Sequence, residues 1–471
     1  MNFGPVQQSI AASLASWGVP HSGSEFAALL ILLLIPFGVA FSIAGVAQYF
    51  ERKVSAVVSR RFGPSTAGGE GILRLVVSCA FFFLPAATRA RLEKTVANLP
   101  GVKQVLFVVS YLGLGQIVAD GLKMFLKEDI VPRAADRFLF RGATYVLLLA
   151  SFVALVAMPI SQNFYLSDFS VAALYVSAVT SVGVVGLLMA GWGSNNKYSL
   201  LGGVRAVAQI VSYEIPIALT IATVAMWSGT LSLHGMIAAQ YHPGVLSFLG
   251  WNLFQSPFFL ILSVVYYTAG LAECNRTPFD FSESEQELIG GVGTEYSGLR
   301  WGLIFIAEYT DMILVGGIFA SLFLGGYQSP IGEQWIVALP PVWEALVHGA
   351  IFCAKFLASI GVMMWLRWTL PRFRIDQVMR MAWVRLIPLS LICLFLLAAS
   401  MLWFGHDGQV AQVIHGRFVS SLVVRPEGWQ TASVWGATIL VVAVLVVLAK
   451  KYGDPKPMPE DVRKALVGGE G

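Results

Sequence analysis

Long apolar runs alternate with short polar connections along this chain. Each run is continuous rather than alternating, and every backbone group in lipid must be hydrogen-bonded within its own element or barrel, so the pattern predicts helices and not a β-barrel. A crossing helix needs about 20 apolar residues. The sequence therefore predicts an all-α, polytopic membrane helix bundle with about nine transmembrane helices. The runs lie near 27–50, 138–160, 171–193, 207–231, 248–272, 301–325, 343–366, 383–404 and 433–449.

Composition supports an integral membrane protein. Of the 471 residues, 56% are apolar and 12% are charged, with a mean hydropathy of +0.72. A soluble domain of this size could not bury so much apolar surface. No basic region precedes the first apolar run within residues 1–24, so no signal peptide is predicted and the first helix is expected to direct insertion.

Lysine and arginine are distributed unequally between the two sets of connections. Connections 51–137, 194–206, 273–300, 367–382 and the tail after 449 hold nearly all of them, whereas 161–170, 232–247 and 326–342 hold none. Connection 405–432 holds only Arg417 and Arg425. Because positive charge marks cytoplasmic loops, nine crossings predict the N-terminus outside and the C-terminus in the cytoplasm. The expected location is a bacterial inner (plasma) membrane.

Two segments depart from a plain bundle. Residues 74–115 contain two short apolar runs around Arg89, Arg91 and Lys94, which predicts a helical hairpin on the cytoplasmic side. Residues 405–471 are interpreted as an extra C-terminal transmembrane helix followed by a cytoplasmic tail. The remaining core is residues 1–404, with 74–115 as an insert.

No motif for a redox centre is present. Cys79, Cys274, Cys353 and Cys393 form no CxxC pair, and His348 is the one histidine within an apolar run. The glycine-rich stretch at 63–71 lacks the GK[ST] ending of a phosphate-binding loop. We therefore expect no bound metal or flavin and no nucleic-acid partner. Any electrons must come from another protein.

Acidic residues concentrate between 272 and 312. An ionised carboxylate in lipid costs about 2.5–3.5 kcal/mol even on an insertion scale, so these acids must lie in water, in a hydrated cavity or against cations from elsewhere in the fold. Ionisable groups between membrane helices usually mark an ion or proton path. The acids of the segment ahead of the next apolar run face only Arg276 and Arg300, and they are Glu273, Asp280, Glu283, Glu285, Glu287 and Glu295.

Two more acids, Glu214 and Glu308, lie inside apolar runs. Pro216 should free the carbonyl of Ser212 near Glu214 for a side chain or water. Both acids also have structural interpretations: Glu214 as an interhelical hydrogen-bond partner, and Glu308 as the ion-pair partner of Arg205 or Lys355. The acidic segment could likewise be a solvated loop that docks onto a basic partner.

An ordered set of motifs identifies a family. The chain reads ERKVSAVVSRRFGP at 51–64, ADGLKMFLKEDIVP at 119–132, GWGSNNKYSLLGGVRAVAQIVSYEIP at 191–216, then NRTPFDFSESEQEL, TEYSG, AEY at 307–309 and LPRFRIDQ at 370–377. In this order the motifs resemble the H subunit of respiratory NADH:quinone oxidoreductase, complex I, the counterpart of mitochondrial NADH dehydrogenase subunit 1. The resemblance covers roughly residues 25–73 and 116–395.

The resemblance implies a role in a proton-translocating enzyme. A protein of this family would bind quinone as substrate in a chamber beneath the peripheral-arm iron–sulfur subunits, and a hydrated line of carboxylates would lead to antiporter-like membrane subunits. By position, the implied proton or coupling path comprises Glu214, Glu273, Glu283, Glu285, Glu287 and Glu308. The implied quinone chamber comprises Glu51, Arg52, Arg61, Asp120, Arg205, Arg276 and Asp280.

The chain also departs from this pattern. The insert at 74–115 splits a segment that is normally continuous in the family, and Asp311 stands where the family usually has asparagine. The main alternative function is a homologous ion-translocating subunit of a membrane-bound hydrogenase or related complex. A stand-alone ion transporter is a third class, but no inverted repeat is apparent in the sequence.

Overall fold

A computed structural model of the chain describes residues 21–61, 63–64, 113, 115–162, 165, 167–242, 247–282, 289–333, 336, 340–404, 406–414 and 417–425. The elements in these ranges are almost all helical. The helices are α1 His21–Val58, α2 Gly115–Leu126, α3 Arg137–Leu155, α4 Ala172–Gly193, α5 Lys197–Ser228, α6 Leu233–Ala238, α7 Asn252–Gln255, α8 Pro257–Glu273, α9 Gly298–Phe323, α10 Pro341–Thr369, α11 Ile375–Arg380 and α12 Ile387–Phe404, with a π-helical turn Met381–Leu386 joining the last two.

The predicted fold class is confirmed. Within the described ranges, six helical segments are long and apolar enough to cross a membrane: α3, α4, α5, α9, α10 and the continuous α11–α12 segment. Helix α1 covers the first apolar run, and α8 is a shorter apolar helix of 17 residues. The run at 433–449 and almost all of the insert at 74–115 lie outside the described residues, so the count of nine stays a prediction.

Local sequence signals explain where α5 and α8 begin. Asn196 caps α5 by accepting a hydrogen bond from the backbone N–H of Tyr198, which starts this helix ten residues before the apolar run predicts. Ser256 caps α8, and Pro257 occupies its first turn. The apolar run at 248–272 therefore begins as short turns, and Glu273 is left at the C-terminal end of α8.

Helix α9 lies at the centre of the bundle and contacts α1, α2, α3, α8 and α10. Beside it, α4 and α5 cross closely because two glycines meet. A Cβ added to Gly191 would lie 3.2 Å from the Cα of Gly203. Small residues of this kind allow membrane helices to approach closely. This crossing fixes the position of α5, which carries Glu214.

The two predicted sets of connections are segregated in the structure. On one side, which we call the basic face, the described parts of the connections contact one another, namely 51–61, 63–64, 115–137, 194–197, 273–282, 289–300 and 367–375. For example, the Ser297 hydroxyl donates to the carbonyl of Glu128 and accepts from the N–H of Ile130, and Arg300 pairs with Asp129 at 3.0 Å. These contacts hold the N-terminal end of α9.

The connections without lysine or arginine meet on the opposite face. Tyr327 lies 3.3 Å from His234, and Ser232 hydrogen-bonds Asp168. Lys355 of α10 donates to the carbonyls of Leu324, Gly326 and Gln328 at 2.6, 2.8 and 2.6 Å. Its ammonium group thus neutralises the C-terminal end of α9, where unpaired carbonyls carry partial negative charge.

One element was not predicted. Strands β1 His406–Ile414 and β2 Arg417–Arg425 form an antiparallel hairpin with His406 opposite Arg425. The hairpin contacts α6, which places it on the opposite face, and it lies within the predicted connection 405–432. The sequence pattern predicted only a connection here because no spanning run crosses this stretch.

Candidate functional site

A cavity of about 510 Å³ opens at the basic face of the bundle. Its walls come from four parts of the chain: the end of α1 with the loop after it, the turn after α8, the first half of α9 and the end of α10. The lining includes Gln48, Glu51, Arg52, Ser55, Ser59, Arg61, Arg276, Phe305, Tyr309, Arg367 and Trp368. Polar and charged side chains thus line a space between membrane helices.

Glu51 is the most heavily contacted charge in this cavity wall. Its side chain is only 9% exposed, and its Oε2 accepts a hydrogen bond of 2.7 Å from the Tyr309 hydroxyl. Arg276 Nη1 lies 3.4 Å from the same oxygen, while Arg367 pairs with Oε1. Two guanidinium groups thus face one carboxylate. Such partners satisfy a carboxylate that would otherwise be costly to bury.

Arg276 connects this cluster to a second carboxylate. Its Nη1 faces Glu51, its Nη2 lies 3.8 Å from Glu308, and its guanidinium stacks on the Tyr309 ring at 4.1 Å from the centroid. Arg276 is itself buried. Glu308 therefore forms an ion pair with Arg276. The alternative with Lys355 is not supported, because that lysine binds carbonyls on the opposite face.

Three further predicted residues form ion pairs on the basic face. Arg52 contacts Asp120 at 2.6 Å, and Gln116 also donates to that carboxylate. Because the Arg52 side chain is 42% exposed, this pair contributes little to stability. Asp280 pairs with Arg372 at 2.6 Å. A cation from elsewhere in the fold thus neutralises Asp280, which is one of the environments predicted for the acidic segment.

Glu214 and Glu273, the two remaining described acids of the predicted path, lie at a second cavity. Glu214 of α5 accepts a hydrogen bond from Ser181 of α4. Glu214 and Glu273 both line a small cavity of about 20 Å³ together with Ser177 and Thr180. That volume holds about one water molecule, and the polar lining offers the partners that a buried water requires. A proton could therefore pass between the two carboxylates through a hydrogen-bonded water.

The structure thus brings together Glu51, Arg52, Arg61 and Arg276 around one cavity, and Glu214 with Glu273 around another. Arg205 lies on α5 and is not in the lining of either cavity, so its assignment to the chamber stays a prediction. Glu283, Glu285 and Glu287 lie outside the described residues.

Sequence reasoning missed three residues of the site. Tyr309 follows Glu308 in the AEY motif but was assigned no role, although its hydroxyl binds Glu51. Arg367 and Arg372 were counted only as positive charge that marks a cytoplasmic connection. An arginine at the end of an apolar helix has the same sequence signal whether it faces lipid headgroups or a buried carboxylate, so the pattern could not separate the two.

Comparison with known protein families identifies the class of protein to which this chain belongs. A family model described as NADH dehydrogenase matches residues 104–398, more than half of the chain. The match extends from α2 to α12 and so includes most of the cavity-lining segments. The fold is therefore that of a membrane subunit of this enzyme complex.

Individual relatives give a narrower identification. The chain is 38% identical over 396 residues to the H subunit of NADH-quinone oxidoreductase from Chlorobaculum parvum, covering 83% of this chain and 98% of that protein. It is 35% identical over 414 residues to the H subunit from Anaeromyxobacter dehalogenans, covering 84% and 88%. The chain belongs to the family of NADH-quinone oxidoreductase H subunits, which correspond to subunit 1 of complex I.

Proposed function

We propose that this chain forms the quinone-binding chamber and the beginning of the acidic proton or coupling path of a proton-translocating NADH:quinone oxidoreductase. One observation carries the proposal: buried Arg276 contacts Glu51 in the wall of the 510 Å³ cavity and Glu308 behind it. A change of charge in the cavity would alter the interaction of Arg276 with both carboxylates. The cavity and the path are therefore electrostatically linked through one side chain.

The rest of the site fits this role. The cavity offers polar groups near its arginines and apolar surface at Phe305 and Trp368, as a quinone ring with a polar head requires. Its position on the basic face would put it beneath the peripheral-arm iron–sulfur subunits, with the membrane on its other sides. Antiporter-like membrane subunits would receive the charge or proton signal. Quinone is the substrate, and the electrons come from the partner subunits.

The hydrogenase-type alternative is less well supported. The relatives that match over most of their length are named as the H subunit of NADH-quinone oxidoreductase. Genes for an NADH-binding module beside this one, or co-purification with such a module, would favour the quinone enzyme. Co-purification with hydrogenase subunits and no quinone-dependent activity would favour the alternative.

Substitution of the two membrane acids tests the proposal. Glu214→Gln and Glu308→Gln keep the side-chain shape but cannot exchange protons, so each should reduce quinone-linked proton pumping about tenfold or more while assembly is retained. Pumping is followed with a pH-sensitive dye in vesicles that contain the whole complex, and assembly is followed on a native gel.

The control is Glu344→Gln, which changes an acid in the first turn of α10 on the opposite face. It should leave pumping unchanged. Oxidation of NADH by a water-soluble acceptor should continue in all three variants, because the electron-input subunits are untouched. Wild-type pumping in both Glu214→Gln and Glu308→Gln would show that these acids are structural and would contradict the proposal.

A further inference from the structure

The turn after α8 carries Arg276, whose guanidinium lies between two carboxylates of other helices. Its nitrogens lie 3.4 Å from Glu51 of α1 and 3.8 Å from Glu308 of α9, so a small displacement of the turn would lengthen one contact or both. The position of this guanidinium therefore depends on what attaches residues 274–279 to the bundle. Helix α5 supplies a residue that does so.

Gln209 of α5 binds both ends of the turn. Its Nε2 donates to the carbonyl of Ala272 at 2.6 Å and to the carbonyl of Phe279 at 2.8 Å. Ala272 lies in the last turn of α8, where carbonyls lack helical partners, and Phe279 lies three residues after Arg276. Carbonyls only accept, and the NH2 group of the amide has two hydrogens to donate, so its orientation is determined. Gln209 thus closes the turn around Arg276.

The amide of Gln209 is completely buried, with 0% of the residue exposed. Its Oε1 makes no hydrogen bond to the described residues, so the contribution of the amide comes from the two bonds that it donates. A buried carbonyl left without its donor costs about 1–3 kcal/mol. Loss of the amide would therefore leave both ends of the turn short of a partner and favour a different conformation.

Packing reinforces the two hydrogen bonds. Tyr213 follows Gln209 by one turn of α5 and so lies on the same face of the helix. Its ring packs against that of Phe279, with centroids 5.6 Å apart, and its hydroxyl donates to the carbonyl of Val378 at 3.0 Å. The N–H of Phe279 donates to the carbonyl of Arg276 at 2.8 Å. Phe279, which Gln209 binds, is thus tied directly to the backbone of Arg276.

We infer that Gln209 is a positioning residue that sets Arg276 between Glu51 and Glu308, and with it the wall of the cavity that quinone would contact. The inference rests on the proposed function and deepens it. Gln209 is not in the lining of either cavity, so it acts through the backbone of the turn. Because α5 also carries Glu214, the same two bonds hold the two cavities in one arrangement.

Gln209→Met is the main variant, because methionine has a similar length and no hydrogen-bond donor. In vesicles containing the whole complex, it should raise the KM for a short-chain quinone about fivefold or more, since a displaced Arg276 changes the cavity wall. Partial loss of assembly cannot produce this result, because KM does not depend on the amount of complex. NADH oxidation by a water-soluble acceptor should be unchanged. A wild-type KM in the assembled variant would overturn the inference.

The matched control is Gln240→Met on the opposite face. Gln240 is also fully buried, and its Nε2 donates to the carbonyls of Met236 and Ser321 at 3.2 and 2.8 Å. This variant should leave the KM for quinone unchanged. The same rise in KM in both glutamine variants would indicate a general effect of packing and would also count against a positioning role.

A double-mutant cycle shows whether Gln209 acts through Arg276. Arg276→Lys keeps the positive charge but loses the planar fork that faces two carboxylates, so it should raise the KM by itself. Adding Gln209→Met should then raise it little further, because the group that Gln209 positions has already been changed. Independent effects multiply, and a double variant with the product of the two separate increases would contradict the inference.

The same measurements separate this inference from the proposed function. A raised KM in Arg276→Lys with a wild-type KM in Gln209→Met would keep the proposed chamber and remove Gln209 from its support. Wild-type KM and wild-type proton pumping in Arg276→Lys would reject the proposed chamber itself.

Gln209→Asn takes the place of Gln209→Met if the methionine variant does not assemble. Asparagine keeps the amide but is one methylene shorter, so it cannot reach both carbonyls from the same position on α5. We expect its KM for quinone to rise as well. A wild-type KM in assembled Gln209→Asn would then reject the role of Gln209.

Discussion

At the scale of single residues, Glu51 shows how a membrane protein can bury charge at a candidate functional cavity. Its two oxygens are divided between partners: Tyr309 and Arg276 contact one, and Arg367 contacts the other. Removal of any partner leaves the others in place but incompletely satisfied, and such a loss at a buried charged group is costly. The orientation of the carboxylate therefore depends on all three.

Tyr309→Phe tests this arrangement. The variant keeps the ring on which Arg276 stacks but removes the hydroxyl that donates to Glu51, a bond to a charged group worth about 1.5–3 kcal/mol. We expect the complex to assemble and its NADH:quinone activity to fall several-fold. Oxidation of NADH by a water-soluble acceptor should be unchanged.

The matched control is Tyr296→Phe on the same face of the protein. Tyr296 is also buried and makes one hydrogen bond, 3.0 Å to the carbonyl of Phe140, but it does not line the 510 Å³ cavity. Burial raises the pKa of Tyr296, which keeps its hydroxyl protonated as a donor. Equal losses of quinone activity in the two variants would show that the effect of Tyr309 is general destabilisation.

The sequence predicted the site's charged residues better than their contacts. Motif positions identified Glu51 and Arg276, and the structure places both in one cavity wall. Their pairing joins residues 225 positions apart and depends on how the end of α1 packs against the turn after α8, which periodicity alone does not determine. Tyr309 and Arg367 were missed for the same reason, since their role exists only once three helices have met.

At the scale of elements, apolar runs predicted which segments are helical but not their ends. Capping residues decide those ends: Asn196 extends α5 beyond its apolar run, and Pro257 shortens α8. The hairpin at 406–425 was missed because a search for apolar runs long enough to cross a membrane does not detect strands of nine residues. The end of α8 matters here because it determines the positions of Glu273, its last residue, and of Arg276 in the turn after it.

Lys355→Met tests the stabilisation of a helix end. Methionine retains much of the apolar side chain but removes the ammonium that binds three carbonyls after α9. Each buried carbonyl left unpaired should cost about 1–3 kcal/mol. The complex should therefore dissociate at a lower temperature, as read from native gels after stepwise heating. Lys197→Met, at an exposed lysine, is the control, and equal stability of the two variants would contradict the assignment.

At the scale of the whole molecule, charge distribution predicted which connections lie together. The segments rich in lysine and arginine meet on the basic face, and those without them meet on the other. The rule succeeds because crossing helices must place alternate connections on opposite sides, so one biased set determines the rest. The charge rule predicts that the basic face is cytoplasmic, and this orientation stays a prediction.

Single-cysteine labelling tests that orientation. In a variant without the native cysteines, Lys197→Cys on the basic face should react with an impermeant maleimide only from the cytoplasmic side. His242→Cys on the opposite face should react only from outside. Both positions are exposed in the structure. The reverse pattern would invert the topology and place the proposed chamber on the wrong side for cytoplasmic electron donors.

The attachment of α9 at both ends limits how a signal can move through the protein. Ser297 and Arg300 tie one end to residues 128–130, and Lys355 holds the other. Because α9 is attached at both ends, it could translate along its axis during turnover only if both attachments broke. Under the proposed function, we therefore expect coupling along α9 to proceed by displacement of charge, while the helix itself keeps its position.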